Sequence, residues 1–251
     1  KEAIAYAHEF ITSVMGIPIS YVTIFSSKGG SASGGKGVAV PTDEESRQIW
    51  QSLGVKDIRE EGMEDVFWGP TGSAGPCGPT TEIYCKNGAG QDIEVWNIVF
   101  NQYLYPGSRE ELNQGVEGKK LELLKTPGVD TGMGLERLVM ISQKTSNIFD
   151  TDLFKPIIEL LQAEMEARTK RIIADHVRGS AFLVADGVRP SNKGAGYILR
   201  RLLRRAIVHI YLANNPALSL KELFSKVASL YGSVYPELNQ EEVFSVAQEE
   251  F

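Results

Sequence analysis

The sequence has 251 residues, of which 42% are hydrophobic and 23% are charged, and its formal net charge is −6. This length allows one large or two small domains with a substantial core, and the acidic balance argues against a generally basic nucleic-acid-binding protein. No apolar run reaches the length of a membrane span, and the chain has no signal-peptide pattern. We therefore expect a cytoplasmic protein that binds no membrane.

The beginning of the chain predicts two helices and one strand. Apolar residues recur with helical spacing over residues 1–15, and residues 19–25 predict a strand. Residues 43–54 predict a short helix with an acidic first turn. The segment between them, SSKGGSASGGKG, has the composition of a flexible loop.

The middle of the chain predicts a loop followed by three strands. The segment FWGPTGSAGPCGP is so rich in Gly and Pro that it predicts turns and no regular element. After it, TEIYC, DIEVWNIVFNQYLY and KKLELLK predict strands, and their short links favour an antiparallel meander. Cys77 and Cys85 lack a metal-ligand spacing and are expected to be reduced thiols, with a disulfide as the less favoured alternative.

After about residue 150 the strand signals stop. The segments TDLFKPIIELLQAEMEA, KRIIADHVRGSAFLVADG, GYILRRLLRRAIVHIYLA and LKELFSKVASLYGSV all have a helical period. The sequence therefore predicts an α+β fold, with a sheet-rich part at about 1–150 and an all-helical part at 151–251.

The segment VDTGMGLERL, residues 129–138, predicts a strand end followed by a helix. Gly132 and Gly134 let the backbone pass close to a ligand, and the opening of the helix would present free N–H groups to an anion. Arg137 offers a planar fork for phosphate, and Asp130 is placed to meet an ammonium group. The alternative is a tight strand-to-helix turn followed by a solvated ion pair between Arg137 and the neighbouring glutamate.

Two further residues are candidates. Asn97 is the polar member of the nearly continuous apolar run EVWNIVF, which is typical of a strand buried on both faces. If it is buried, its amide needs a partner, and a ligand's carboxylate or carbonyl is one candidate. Trp68 lies near the start of the Gly/Pro-rich segment, just before a rigid loop, where it would wall a small pocket. On the residues alone, the favoured alternatives are an Asn97 bonded to neighbouring backbone and a Trp68 anchored in the core.

The segment 170–210 carries a local positive charge. Nine Lys or Arg stand against two Asp, so this segment has a net charge of +7 and the rest of the chain −13. Its helix GYILRRLLRRAI places four arginines opposite an apolar stripe that begins at Ile198. Like charges on one helix face repel one another unless an anion covers them, and a phosphate backbone is the natural partner. Nearby, Asn192 could read a base edge. The alternative is a solvated face formed by Arg200, Arg201, Arg204 and Arg205.

Five segments, taken in order, resemble the alanyl-tRNA synthetase family of class II synthetases: WGPTGSAGPCGPTTEIY, EVWNIVFNQY, VDTGMGLERL, NIFDTDLF and RIIADHVRGSAFLVADGVRPSNKGAGYILRRLLRRA. The resemblance is dense over residues 55–210. It implies a class II antiparallel sheet followed by a helical domain. It also implies an enzyme that uses ATP and Mg²⁺ to activate alanine as alanyl-adenylate and then transfers alanine to the acceptor stem of tRNA(Ala).

The resemblance assigns roles to the candidate residues around the amino acid. In this family Asp130 would bind the α-amino group of alanine, and Gly132 would line the floor of the pocket. Trp68 and Val99 would wall the pocket so that only a small side chain fits. Asn97 would lie beside the carboxylate of the amino acid.

The remaining roles concern ATP and tRNA. Gly134 and Arg137 of motif 3 would contact ATP, and Arg137 and Asp130 would be the catalytic residues. Asn192 and the arginine helix would meet the acceptor stem near its G·U pair. No residue is expected to be a dedicated metal ligand.

The sequence also departs from the family. Residues 1–150 match the C-terminal part of the aminoacylation domain, with motif 3 at about 129–143, and 151–251 match an incomplete tRNA-recognition domain. Motifs 1 and 2, the second of which supplies the arginine for the α-phosphate, are not found. Because the chain begins with Lys1 and both ends look cut, we expect a fragment or split subunit that is inactive without a partner chain carrying those motifs. The alternatives are a non-catalytic module that binds the acceptor stem, and an adenylating paralogue that serves a carrier, against which the arginine helix argues.

Overall fold

A computed structural model describes residues 1–27, 40–213 and 218–249. Its internal contacts divide the chain into two compact units, Lys1–Asn147 and Ile148–Phe251. Apart from its first two residues, the predicted Gly/Ser loop lies outside the described residues. No helix in the described ranges is long and apolar enough to cross a membrane.

The first unit is built on a mostly antiparallel sheet. Its strands are β1 (Ile19–Phe25), β2 (Ile58–Glu61), β3 (Phe67–Trp68), β4 (Gly75–Lys86), β5 (Asp92–Tyr105) and β6 (Glu122–Met133). Over the described residues the strand order is β2-β1-β4-β5-β6, and β3 pairs with β4 off this path. β1 and β2 run parallel, and the other pairs are antiparallel.

One face of this sheet carries the core of the first unit. Apolar residues at alternate positions of the strands, such as Val22, Ile24 and Ile83, pack there against helices on the same side. Trp50 is fully buried in this core, and its Nε1 donates a hydrogen bond of 2.8 Å to Thr81 Oγ1. The helices of this unit are α1 (Glu2–Glu9), α2 (Glu44–Ser52), α3 (Arg109–Gln114) and α4 (Leu135–Ser142).

Several predicted elements are confirmed. The first helix, β1 and α2 lie where the periodicity places them, and α1 continues as a π-helical turn over Phe10–Val14. Asp43 caps α2 by accepting a hydrogen bond of 3.0 Å from the backbone of Ser46. The β4-β5-β6 meander is also confirmed, as is the strand-to-helix junction, where Gly134 is the N-cap of α4.

The prediction of turns without regular structure for the Gly/Pro-rich segment was wrong. β3 lies inside it, and β4 begins at Gly75. A strand is possible there because Gly78 has no side chain: a Cβ at this position would overlap the carbonyl oxygen of Phe100 on β5. The glycine therefore permits a close approach of two strands, at a point where their register shifts between Cys77 and Thr80.

Two short elements were missed. β2 pairs in parallel with β1, so the sheet is not a pure antiparallel meander. α3 lies where only a turn-rich link was expected. Its capping box, in which Ser108 and Glu111 bond to each other's backbone, was the available signal.

The second unit is helical. Its helices are α5 (Lys155–Ile158), α6 (Ala167–Ala185), α7 (Gly194–Leu212), α8 (Leu220–Tyr231) and α9 (Glu241–Glu249). Their apolar faces form one continuous core that includes Phe154, Leu199 and Phe224. The helical period of 151–167 predicted helix throughout, and this was wrong, because within 151–166 only α5 is α-helical and turns follow it.

The fold class was predicted correctly, since an α+β chain with a mostly antiparallel sheet is followed by helices. The assignment of the two parts to an aminoacylation domain and a tRNA-recognition domain stays a prediction.

Candidate functional site

The sheet face opposite the core brings predicted substrate residues together. Glu82 of β4 lies opposite Asn97 of β5, which lies opposite Gly132 of β6. Two residues along the strands, Val99 lies opposite Asp130. Because residues two apart in a strand share a face, these five side-chain positions form one contiguous patch.

The β6 side of this patch is open. A Cβ at Gly132 would meet nothing within 4 Å, so there is room for a small group over the backbone there. The Asp130 carboxylate is exposed, and its Oδ1 accepts a hydrogen bond of 2.8 Å from the backbone N–H of Thr131. Val99 is buried and offers an apolar surface beside this carboxylate. The patch therefore combines an oriented negative charge, an apolar wall and free space.

On the β4 side, Asn97 is held by a buried carboxylate. Its Nδ2 donates to Glu82 Oε1 at 3.3 Å, and Glu82 Oε2 accepts from Thr23 Oγ1 at 3.2 Å and from the Tyr84 hydroxyl at 3.0 Å. Because an ionised carboxylate only accepts, the amide must turn its Nδ2 toward Glu82. The role of Asn97 toward a ligand's carboxylate stays a prediction.

Burial raises the pKa of the Glu82 carboxyl, and the hydrogen bond from the Tyr84 hydroxyl opposes that shift. Glu82 is only 7% exposed. The three donors around it compensate part of the cost of keeping a carboxylate out of water. Glu82 is therefore an organising group of the patch.

Trp68 lies in the two-residue strand β3, where it is half-buried and paired with Gly78 of β4. The register of β4 with β5 shifts between Cys77 and Thr80, so strand alternation does not relate the face of Trp68 to that of Glu82. The role of Trp68 as a pocket wall stays a prediction.

Arg137 is partnered by a residue far away in sequence. Its Nη1 donates to Glu94 Oε2 at 2.8 Å and to the carbonyl oxygen of Glu94 at 3.0 Å. The Arg137 side chain is 49% exposed, so its remaining donors can reach a ligand. The backbone N–H of Gly134 donates to the Val95 carbonyl at 3.1 Å, which fixes the start of α4 beside β5.

Sequence reasoning missed Glu82, Tyr84 and Glu94. The available signal was the run of polar and aromatic-hydroxyl residues Thr80, Glu82 and Tyr84 at every second position of β4. Nothing local in the sequence links Glu94 to Arg137.

In the helical unit, α7 has the expected two faces with one correction. Leu199 and Leu203 are buried, whereas Ile198, predicted in the apolar stripe, is 48% exposed. It lies about a third of a turn off the buried line because one residue advances a helix by about 100°. The arginine positions form the opposite face, on which Arg201, Arg204 and Arg205 are exposed and Arg200 is half-buried.

Two of the predicted tRNA-contacting residues are in contact with each other. Arg200 Nη1 donates a hydrogen bond to Asn192 Oδ1. The guanidinium carbons of Arg200 and Arg201 lie 5.8 Å and 5.7 Å from the ring centroid of Tyr197, which is itself exposed. The first turns of α7 therefore present cations beside an exposed aromatic ring, a combination suited to phosphate and base contacts.

The two cysteines are buried free thiols. Burial raises the pKa of Cys77 to about 11 and that of Cys85 to about 12, so neither is a thiolate near neutral pH. In the described part of the chain, no group of three His, Cys, Asp or Glu side chains could hold a metal ion.

Known proteins are similar to this chain over nearly its whole length. The family model described as tRNA synthetases class II (A) matches residues 1–250. The chain is 36% identical to the alanine–tRNA ligase of Rubrobacter xylanophilus, over 96% of the chain and 29% of that protein. It is 38% identical to the alanine–tRNA ligase of Borrelia hermsii, over 98% of the chain and 43% of that protein. It is 36% identical to the cytoplasmic alanine–tRNA ligase of Caenorhabditis elegans, over 97% of the chain and 27% of that protein. The chain therefore spans less than half the length of these relatives.

Proposed function

This chain belongs to the class II tRNA synthetases, and from that premise we propose that it carries the alanine-binding part of an alanine–tRNA ligase active site. The observation that carries the proposal is the register of β4, β5 and β6, which places Asn97, Val99, Asp130 and Gly132 on one face. The relatives named above are alanine–tRNA ligases, which supports alanine as the amino acid.

Each side chain has a role that its surroundings support. The Asp130 carboxylate binds the α-ammonium group, and its orientation is set by the bond from Thr131. Val99 and Trp68 form the walls around the alanine methyl group, and the open space at Gly132 receives the substrate backbone. A small pocket rejects larger amino acids by steric clash, but it discriminates weakly against glycine or serine.

The proposed chemistry is adenylation followed by transfer. A carboxylate oxygen of alanine attacks the α-phosphorus of ATP, the bond to the β-phosphate oxygen breaks, and pyrophosphate leaves. A terminal ribose hydroxyl of tRNA(Ala) then attacks the carbonyl carbon of the adenylate, loses its proton, and AMP leaves. The protein contributes mainly by positioning the reactants and stabilising charge.

ATP and Mg²⁺ fit the residues around α4. Arg137 has exposed guanidinium donors beside the Gly134 turn. Glu94 supplies a carboxylate that is 31% exposed, and magnesium is commonly held by one or two carboxylates together with substrate phosphates. Bound there, the metal would neutralise phosphate charge. Arg137 would orient the nucleotide, and Glu94 would set the position of Arg137.

We further propose that the chain needs a polypeptide carrying motifs 1 and 2. In the described residues β6 pairs only with β5, and all but one of its positions are exposed. Leu123 is 77% exposed and Val129 is 58% exposed on this strand. A long open edge of this kind favours addition of another strand, so β6 is where we place the missing polypeptide.

The test is ATP–pyrophosphate exchange with alanine. We expect no exchange by the chain alone, because the arginine of motif 2 is missing, and exchange after a polypeptide carrying motifs 1 and 2 is added. Exchange by the chain alone would contradict the requirement for a partner. Absence of exchange in both mixtures, with the two polypeptides shown to associate, would contradict the proposed activity.

A second candidate function is a non-catalytic module that binds the tRNA acceptor stem. The observation that favours it is the exposed arginine face of α7 with Tyr197. This candidate requires tRNA binding with a steep salt dependence and no response to ATP.

The arginine face predicts a salt effect. Replacing Arg204 and Arg205 with alanine is expected to weaken tRNA(Ala) binding roughly tenfold near 0.1 M salt and to lower the log–log salt slope by about 2, since each phosphate contact contributes about one. Binding is measured by filter retention across a salt series. The matched control replaces Lys221 and Lys226 on α8, which removes the same charge. Equal effects of the two double variants would show a general charge effect and not a specific arginine surface.

A further inference from the structure

We propose that Arg109 is a positioning residue that holds Trp68 in place and thereby sets the selectivity of the pocket for a small side chain. This inference rests on the proposed function, because it takes Trp68 to be a wall of the alanine pocket. Arg109 lies on α3, outside every motif that carried the family resemblance.

Arg109 bonds to the backbone on both sides of Trp68. Its Nη1 donates to the carbonyl oxygen of Gly69 at 2.7 Å, and its Nη2 donates to the carbonyl oxygen of Met63. The guanidinium carbon also lies 5.7 Å from the ring centroid of Phe67. The residues immediately before and after Trp68 are therefore both in contact with one side chain.

The guanidinium of Arg109 is suited to this role. It is partly buried, and burial lowers its pKa. Glu64 and Glu110 act on its charge in the opposite direction, and its two hydrogen bonds go to neutral carbonyls. Hydrogen bonds from a charged donor are the stronger ones. The planar fork bonds two acceptors at once, whereas a lysine ammonium is a point charge on a flexible stem.

β4 also confines this backbone. A Cβ at Gly69 would lie 2.6 Å from the carbonyl oxygen of Pro76, and Gly69 has a φ of +74°. Trp68 itself pairs with Gly78. The backbone around Trp68 is thus restrained both by β4 and by the Arg109 guanidinium, and removal of that guanidinium removes one of the two restraints.

The first part of the test measures how firmly Arg109 holds the backbone around Trp68, and it needs no enzymatic activity. Amide hydrogen exchange is followed in the chain alone for Arg109→Ala, Arg109→Lys and the control Gln114→Ala, an exposed residue on the same helix. We expect Arg109→Ala to speed exchange at least tenfold over residues 62–70, Arg109→Lys to have a smaller effect, and Gln114→Ala to have none. Unchanged exchange over 62–70 in Arg109→Ala would overturn the proposal.

The second part of the test measures selectivity. ATP–pyrophosphate exchange is run with the chain plus the polypeptide carrying motifs 1 and 2, using alanine and 2-aminobutyrate, which is longer by one methylene. One methylene gives roughly 10- to 200-fold discrimination in a tight pocket. We expect Arg109→Ala to reduce that ratio about tenfold and to raise KM for alanine with little change in kcat, with partial rescue by Arg109→Lys.

The two parts of the test separate the possible failures. A segment that exchanges faster while the ratio of the two amino acids is unchanged would overturn the proposed link between Arg109 and selectivity. Failure of the unsubstituted, complemented chain to use alanine would overturn the proposed function. In that case the exchange data would still decide whether Arg109 holds the Trp68 segment.

Discussion

Replacing Asp130 with asparagine is expected to lower kcat/KM for alanine by roughly 100-fold or more in the complemented exchange assay, because removing one partner of a desolvated charge pair costs about 2–5 kcal/mol. Asp130 Oδ1 already accepts from the Thr131 backbone. Asparagine would keep that bond with its own oxygen. Its amide nitrogen, a donor, would then face the substrate ammonium in place of Oδ2, so the substitution replaces attraction with repulsion without changing the size of the side chain.

The control for Asp130→Asn is Glu122→Gln, which removes the same charge from an exposed residue at the start of the same strand. The control is expected to keep kcat/KM for alanine within about twofold, because an isolated surface charge contributes little. KM for ATP should stay unchanged in both variants. A loss of less than about threefold in Asp130→Asn would show that the ammonium group binds elsewhere.

Local sequence patterns predicted much of the fold. Helical spacing located α1, and the acidic first turn located α2. The alternation and turn residues located the strands of the meander. These patterns contain no information on pairing between distant segments. β2, for example, has only four residues and is a strand because it pairs in parallel with β1. The register of Asn97 with Gly132 is likewise a tertiary property.

The candidate site divides in the same way. Asp130, Gly132 and Arg137 were found because they are close together in sequence, within one strand-to-helix junction. Glu94 was missed because it meets Arg137 across 43 residues of chain. The solvated pair between Arg137 and its neighbouring glutamate was the local alternative, and the structure gives Arg137 the distant partner Glu94. Glu82 was missed because a buried carboxylate is recognised by the groups that donate hydrogen bonds to it. Those donors lie on three different strands, β1, β4 and β5.

Gly78 gives the largest expected effect on stability. Gly78→Ala would place a Cβ onto the carbonyl oxygen of Phe100 and 2.9 Å from its carbonyl carbon. Both atoms belong to the backbone of β5, so β4 and β5 would have to separate where they carry the site. We expect the free energy of unfolding to fall by at least about 3 kcal/mol, which is the scale of severe overpacking. Urea unfolding followed by far-UV circular dichroism measures the change.

Gly128→Ala on β6 is the matched control, because a Cβ there would meet nothing within 4 Å. It should change the free energy of unfolding by less than about 0.5 kcal/mol. The contrast tests why a strand can pass through a segment this rich in glycine and proline. If Gly78→Ala were as stable as Gly128→Ala, the close approach of β4 to β5 would be wrong. The pairing that places Trp68 beside Gly78 would then lose its basis, and with it the geometry by which Arg109 is proposed to shape the pocket.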